Sequence, residues 1–158
     1  MKLLKVVILC LAALVAVPAF AQDKPDDNNM QILLDKVKAD KKLVVAANME
    51  LNEAEGKAFW PIYEAYQKDL QAINNRTGAT ILAYANAYNA KTLTDEMAKQ
   101  LITEALTIDQ DEITMRKSYE AKLSRVLPGK KVARYLQIEN KIRAAIKFDL
   151  AAGIPLVP

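Results

Sequence analysis

The side chains in this chain that could do chemistry are carboxylates. The densest group is Asp109, Asp111 and Glu112, and Asp95 with Glu96 forms a second. There is no histidine, so the commonest general base and the commonest metal ligand are both missing. A di-metal site in a helical bundle pairs Glu with His at three-residue spacing inside the core. Without His, the acidic groups leave only a loose oxygen site for a hard cation, and acidic residues on helices are most often a solvated face. The single cysteine, Cys10, lies in the apolar N-terminal run, and the four glycines, Gly56, Gly78, Gly129 and Gly153, are too scattered for a phosphate loop. The expectation is a protein that is not an enzyme and has no cofactor and no metal. Glu112 stands apart because it falls in an apolar seam, where it either pairs with a basic residue or lines an opening.

Two other groups bear on binding. Arg125, Lys130, Lys131 and Arg134, continued by Lys141, Arg143 and Lys147, make residues 122–158 strongly basic, with 8 basic side chains against 2 acidic ones. Such a group is either a soluble helix surface or a site for acidic partners, unfolded acidic chains or anionic lipid head groups. The formal charge of the whole chain is only +3, which predicts no nucleic-acid partner. The aromatic residues Phe59, Trp60, Tyr63 and Tyr66, with Tyr84 and Tyr88, are read chiefly as core. Trp60, Ile62 and Leu82 fall off that seam, so they are expected to offer apolar surface to a client or a second copy.

The elements that position these groups follow from periodicity. Lys2 and Lys5 precede the apolar run from Val6, and Pro18-Ala19-Phe20-Ala21 closes it. That order predicts a signal peptide over 1–21, cleaved after Ala21. The mature form then has no stable membrane span, no cysteine and a periplasmic location. Residues 22–29 read as a flexible polar lead, and 30–158 as a single helical domain. Met30, Leu33, Leu34, Val37, Val44 and Val45 mark a short leading helix. Asn52 and Glu55 match a capping box, opening a helix whose seam runs Phe59, Tyr63, Tyr66, Leu70, Ile73, Thr77, Ile81, Tyr84 and Tyr88. Pro61 is expected to bend it near its start and Gly78 to weaken its middle.

Asn89 to Thr92 breaks the pattern, and Thr92 or Thr94 can cap the next helix, with Asp95 and Glu96 in its first turn. Its seam is Met97, Leu101, Ala105, Ile108, Glu112, Met115, Tyr119, Leu123 and Val126. The two segments, 53 to 88 and 95 to 126, should pair as a long antiparallel hairpin. Leu127-Pro128-Gly129 stops the third helix, and Pro128 at a first helical position opens a fourth, which Gly153 ends. The apolar tail Ile154 to Pro158 is expected to dock on the body or a partner. The fold class is therefore all-α: a long helical hairpin with a short leading helix and a C-terminal helix, about four helices, and no strands.

A signal peptide followed by a cysteine-free helical hairpin resembles the Spy/CpxP family of periplasmic chaperones and stress-response proteins. That family carries two Leu-Thr-x-x-Gln motifs at helix starts. The nearest matches, Leu51-Asn52-Glu53-Ala54-Glu55 and Leu127-Pro128-Gly129-Lys130-Lys131, keep neither the Thr nor the Gln. Phe59-Trp60-Pro61-Ile62-Tyr63 and Gln137-Ile138-Glu139-Asn140-Lys141, with the Ile-Pro-Leu-Val ending, look like a set of exported bacterial proteins related to it distantly. The resemblance implies a cradle-shaped homodimer of bent hairpins that binds unfolded clients without ATP on a concave basic and apolar surface. The histidines of metal-sensing relatives are missing here. Function is accordingly expected to be chaperone-like or envelope-stress adaptation, through unfolded or partner proteins, with Arg125, Lys130, Lys131, Arg134, Trp60, Ile62 and Leu82 as the contact residues. The competing expectation is a structural or assembly protein with one fixed partner or self-association.

Overall fold

The computed structural model describes residues 40–158. The signal peptide, its cleavage site, the polar lead and the start of the leading helix lie outside the described residues. Over the described residues the fold is all-α, with four helices in chain order: α1 over 40–49, α2 Glu53–Asn89, α3 Asp95–Leu123 and α4 Gly129–Gly153. No strand is present among the described residues, and none of their helices is long and apolar enough to cross a membrane.

Local chemistry sets the helix boundaries. Asn52 caps α2 with a full capping box: its side chain accepts from the Glu55 N–H, and the Glu55 carboxylate accepts from the Asn52 N–H, both at 2.9 Å. The helix continues through Pro61, which removes one backbone donor. Thr94 caps α3, accepting from the Met97 N–H at 3.2 Å, with Asp95 and Glu96 in the positive first turn. The helix ends at Leu123 rather than at Val126, because the Val126 and Leu127 N–H groups turn back onto the Leu123 carbonyl. Pro128 sits one position earlier than the spacing implies, as the N-cap of α4 rather than its first residue.

Side-chain pairs fix how the helices lie. Tyr66 meets Tyr119, and Arg76 meets Asp111 and Glu104, so α2 and α3 are antiparallel. Arg143 meets Glu112 and Lys147 meets Asp109, so α4 returns along α3. Lys41 meets Glu139 and Lys42 meets Glu64, which lays α1 antiparallel to both α2 and α4.

The core gathers where all four helices meet. Val45 and Met49 of α1 join Phe59, Tyr63, Tyr66 and Leu70 of α2, Tyr119 and Leu123 of α3, Leu127 of the connector, and Val132 and Tyr135 of α4. The rings pack edge to face, Phe59 to Tyr135 at 5.2 Å and Tyr66 to Tyr119 at 5.2 Å. Burial of each such large apolar side chain is worth roughly 1.5–3 kcal/mol. Val44, counted with Val45 on sequence grounds, faces solvent, and Met49 takes the buried place one turn on.

Beyond Ile73 the seam of α2 is not sealed. Ile81, Tyr84 and Tyr88 are half-buried, and among the apolar residues only Ala87 is fully covered there. The paired stretch of α3 before Ile108 is likewise open, and Met97 is exposed. Gly78 sits in this stretch with open space around it, and the Thr77 and Thr80 hydroxyls donate back to the Ile73 and Arg76 carbonyls. The tail touches α2 through one bond, the Tyr84 hydroxyl donating to the Pro155 carbonyl at 3.0 Å, but its apolar side chains do not dock there, since Leu156 and Val157 are exposed.

Candidate interaction surfaces

The basic C-terminal segment faces the acidic body. Lys131 pairs with Glu55 and donates to the Glu50 carbonyl. Arg134 pairs with Glu50 at 3.1 Å and reaches the Asn48 carbonyl. The Lys131 ammonium, and after it the Asn52 N–H, hold the Glu55 carboxyl below its ordinary value. Arg143 pairs with the buried Glu112, and Lys147 with Asp109. The expected patch Arg125, Lys130, Lys131, Arg134 is therefore divided. Lys131 and Arg134 tie α4 to the α1–α2 connector, while Arg125 and Lys130 are exposed and make no ion pair among the described residues. The charge asymmetry visible in the sequence is in large part complementarity within the chain.

The acidic group on α3 divides in the same way. Asp109 turns to Lys147, Asp111 to Arg76 and Glu112 to Arg143. Among the described residues no three acidic side chains converge on a common point. Glu112 thus takes the first of its two expected roles, pairing with a base.

The three apolar candidates do not form one surface. Trp60 is half-buried, edge-on to Phe59 at 5.0 Å and to Tyr63 at 5.3 Å, with the Lys42 ammonium 5.3 Å from its ring centre. Ile62 packs on the rim of the same cluster. Leu82 is 60% exposed, and at 1.5 Å per residue it lies about 33 Å further along α2.

Two features escaped the sequence reading. The first is an apolar surface on the outer faces of α3 and α4. Ile102, Leu106 and Ile113, in steps of four and seven, occupy one stripe of α3, at 57%, 63% and 45% exposure. On α4, Ile146, Phe148 and Leu150 are also exposed, Phe148 at 75%. The α3 stripe is legible in its spacing, whereas Ile146 and Leu150 continue the apolar period that Val132 and Tyr135 begin on α4 and are nonetheless exposed. The second is a polar network inside the four-helix end. Glu139 is fully buried; Lys41 lies 2.8 Å from one of its oxygens, and Gln67 donates to the other at 2.9 Å. Lys41 also donates to Gln67 at 2.7 Å, and Gln67 lies 3.3 Å from the Tyr135 hydroxyl.

No family model, no curated protein and no solved structure matches this chain. What fold and surfaces define together is a class: an all-α helical hairpin with two further helices packed on it, a shared core near the start of α2, and large apolar side chains left exposed on each of the four helices.

Proposed function

We propose that this chain is an exported periplasmic protein that acts without ATP as a chaperone-like or envelope-stress adaptor protein, holding unfolded or partner proteins on its uncovered apolar side chains. The observation that carries the reading is the number of large apolar side chains left outside the core. The ring cluster from Phe59 to Tyr135 is sealed, whereas Leu82, Ile102, Leu106, Ile146 and Phe148 are each more than half exposed. Apolar patches that a monomer leaves open mark interaction sites. The exposed cations Arg125 and Lys130 add attraction for acidic segments and speed encounter more than they tighten it.

The test is suppression of aggregation when a chemically unfolded client is diluted into an equimolar amount of this protein. Leu106→Asp with Phe148→Asp removes two apolar side chains the core does not use, so helicity should be kept and protection lost. Equal protection by the variant would refute the reading. The regular stripe Ile102, Leu106, Ile113 favours a second reading, one fixed helical partner seated on α3. Under that reading unrelated clients are not protected at all, and a single partner depends on Leu106.

A further inference from the structure

Helix α1 meets the rest of the chain as a ligand meets a groove. Its anchors Lys41, Val45 and Met49 recur every four residues and so share one face. Val45 and Met49 are fully buried in the cluster that holds Phe59, Tyr63 and Tyr135. Lys41 reaches between α2 and α4 to Gln67 and to the fully buried Glu139. The opposite face, with Leu43 and Val44, is exposed. Charge complementarity is specific here, because a buried carboxylate asks for a cation at one defined place in whatever helix fills the groove.

The connector to α2 is only Glu50, Leu51 and Asn52. Glu50 has φ 48, in the left-handed region that residues with a side chain rarely adopt. Lys131 holds its carbonyl and Arg134 its carboxylate. Glu50 takes this conformation at the turn that folds α1 back onto its own groove. Short hinges under strain favour exchange of an element between copies.

We propose that the groove between α2 and α4 is also filled by the α1 helix of a second copy, giving a reciprocal dimer in which each chain lends its Lys41, Val45 and Met49 to the other. Every contact of α1 is kept in the exchange. The balance lies between relief of the Glu50 conformation and the lost independent motion of two chains, so the dimer grows with concentration. The proposal stands apart from the client-binding reading, since it uses side chains of the core and not the exposed ones.

Charge reversal in two separate full-length chains tests it. Lys41→Glu alone sets two carboxylates together, and Glu139→Lys alone sets two ammonium groups together, whether α1 docks at home or in a like copy. Mixed, the two variants are complementary in both grooves only if α1 is exchanged. After brief warming and cooling, sedimentation should show a one-to-one species of twice the chain mass, with a dimer fraction roughly tenfold above either variant alone. No mixed species overturns the proposal. Where circular dichroism shows either variant unfolded, native mass spectrometry of unlabelled and nitrogen-15-labelled wild-type chains replaces it. A mixed-mass dimer that Glu50→Gly reduces severalfold supports exchange. Absence of mixed mass, or a dimer indifferent to Glu50→Gly, overturns it.

Discussion

Tyrosine does much of the packing here, and each buried phenol must place a hydroxyl. Tyr119 donates to Asp69 at 2.6 Å and the Tyr135 hydroxyl meets Gln67, whereas the buried Tyr66 hydroxyl has no partner among the described residues. A desolvated hydroxyl without a partner costs free energy and returns none. Tyr66→Phe is therefore expected to be neutral or to stabilise by up to about 1 kcal/mol, and Tyr119→Phe to cost about 1 kcal/mol, both read from urea unfolding. The same burial raises the phenol pKa values. Tyr63 and Tyr119 are pushed up to about 12, and Tyr66 and Tyr135 rise as well. Burial is the leading cause, joined by the negative Glu139 for Tyr63, Tyr66 and Tyr135 and by the bond to Asp69 for Tyr119. In the unfolded chain these phenols ionise near 10, so the stability their burial confers is whole below that pH and is lost as pH rises through the folded values. Tyrosinate absorbance should rise together with loss of helicity above about pH 10. Titration of all the phenols before any helix is lost would contradict the buried cluster.

The helices and their order were legible because punctuation and period agreed: Asn52 with Glu55, Thr94 with its two acids, and Pro128-Gly129 each mark a boundary the structure keeps. Two things were not legible. The exit of α3 three residues early depends on turn bonds to one carbonyl, which no periodicity records. The role of the basic segment depends on which helices lie side by side, so Lys131 and Arg134 read as surface although they are fasteners. The ion pairs binding α4 to α3 should differ sharply in weight. Glu112 and Arg143 are both largely buried, while Lys147 and Asp109 are both more than half exposed. Glu112→Ala strands a buried guanidinium and should cost about 3 kcal/mol, whereas Asp109→Ala should cost under about 0.5 kcal/mol. Thermal unfolding distinguishes them, and equal effects would mean that the inner pair is wetter than its burial implies. Replacing both Glu112 and Arg143 by Met should recover much of the loss, because no charge is then left alone.

Over the described residues the large apolar side chains divide between a buried set and an exposed one. By period the inward seam is continuous from Phe59 to Tyr88, yet among the described residues its apolar members are buried from Phe59 to Ile73 and only partly covered at Ile81, Tyr84 and Tyr88. A one-dimensional period cannot show which stretch of a seam a neighbouring helix covers. Amide hydrogen exchange should follow this division, slow through 59–73 and 119–139 and faster through 77–107 and 144–153, because local opening follows buried contacts. Uniform protection would argue that the open stretch is covered in solution. The boundary between the two zones falls close to Gly78, where a methyl group would meet open space, and to Thr77 and Thr80, whose back-bonded hydroxyls tend to bend a helix. An alanine there should add about 1 kcal/mol of helix stability by propensity alone, measurable as a higher melting temperature. The glycine instead leaves α2 with a point of weak intrinsic helix propensity just beyond the buried ring cluster, so fraying of the long rod should begin there rather than at its capped start.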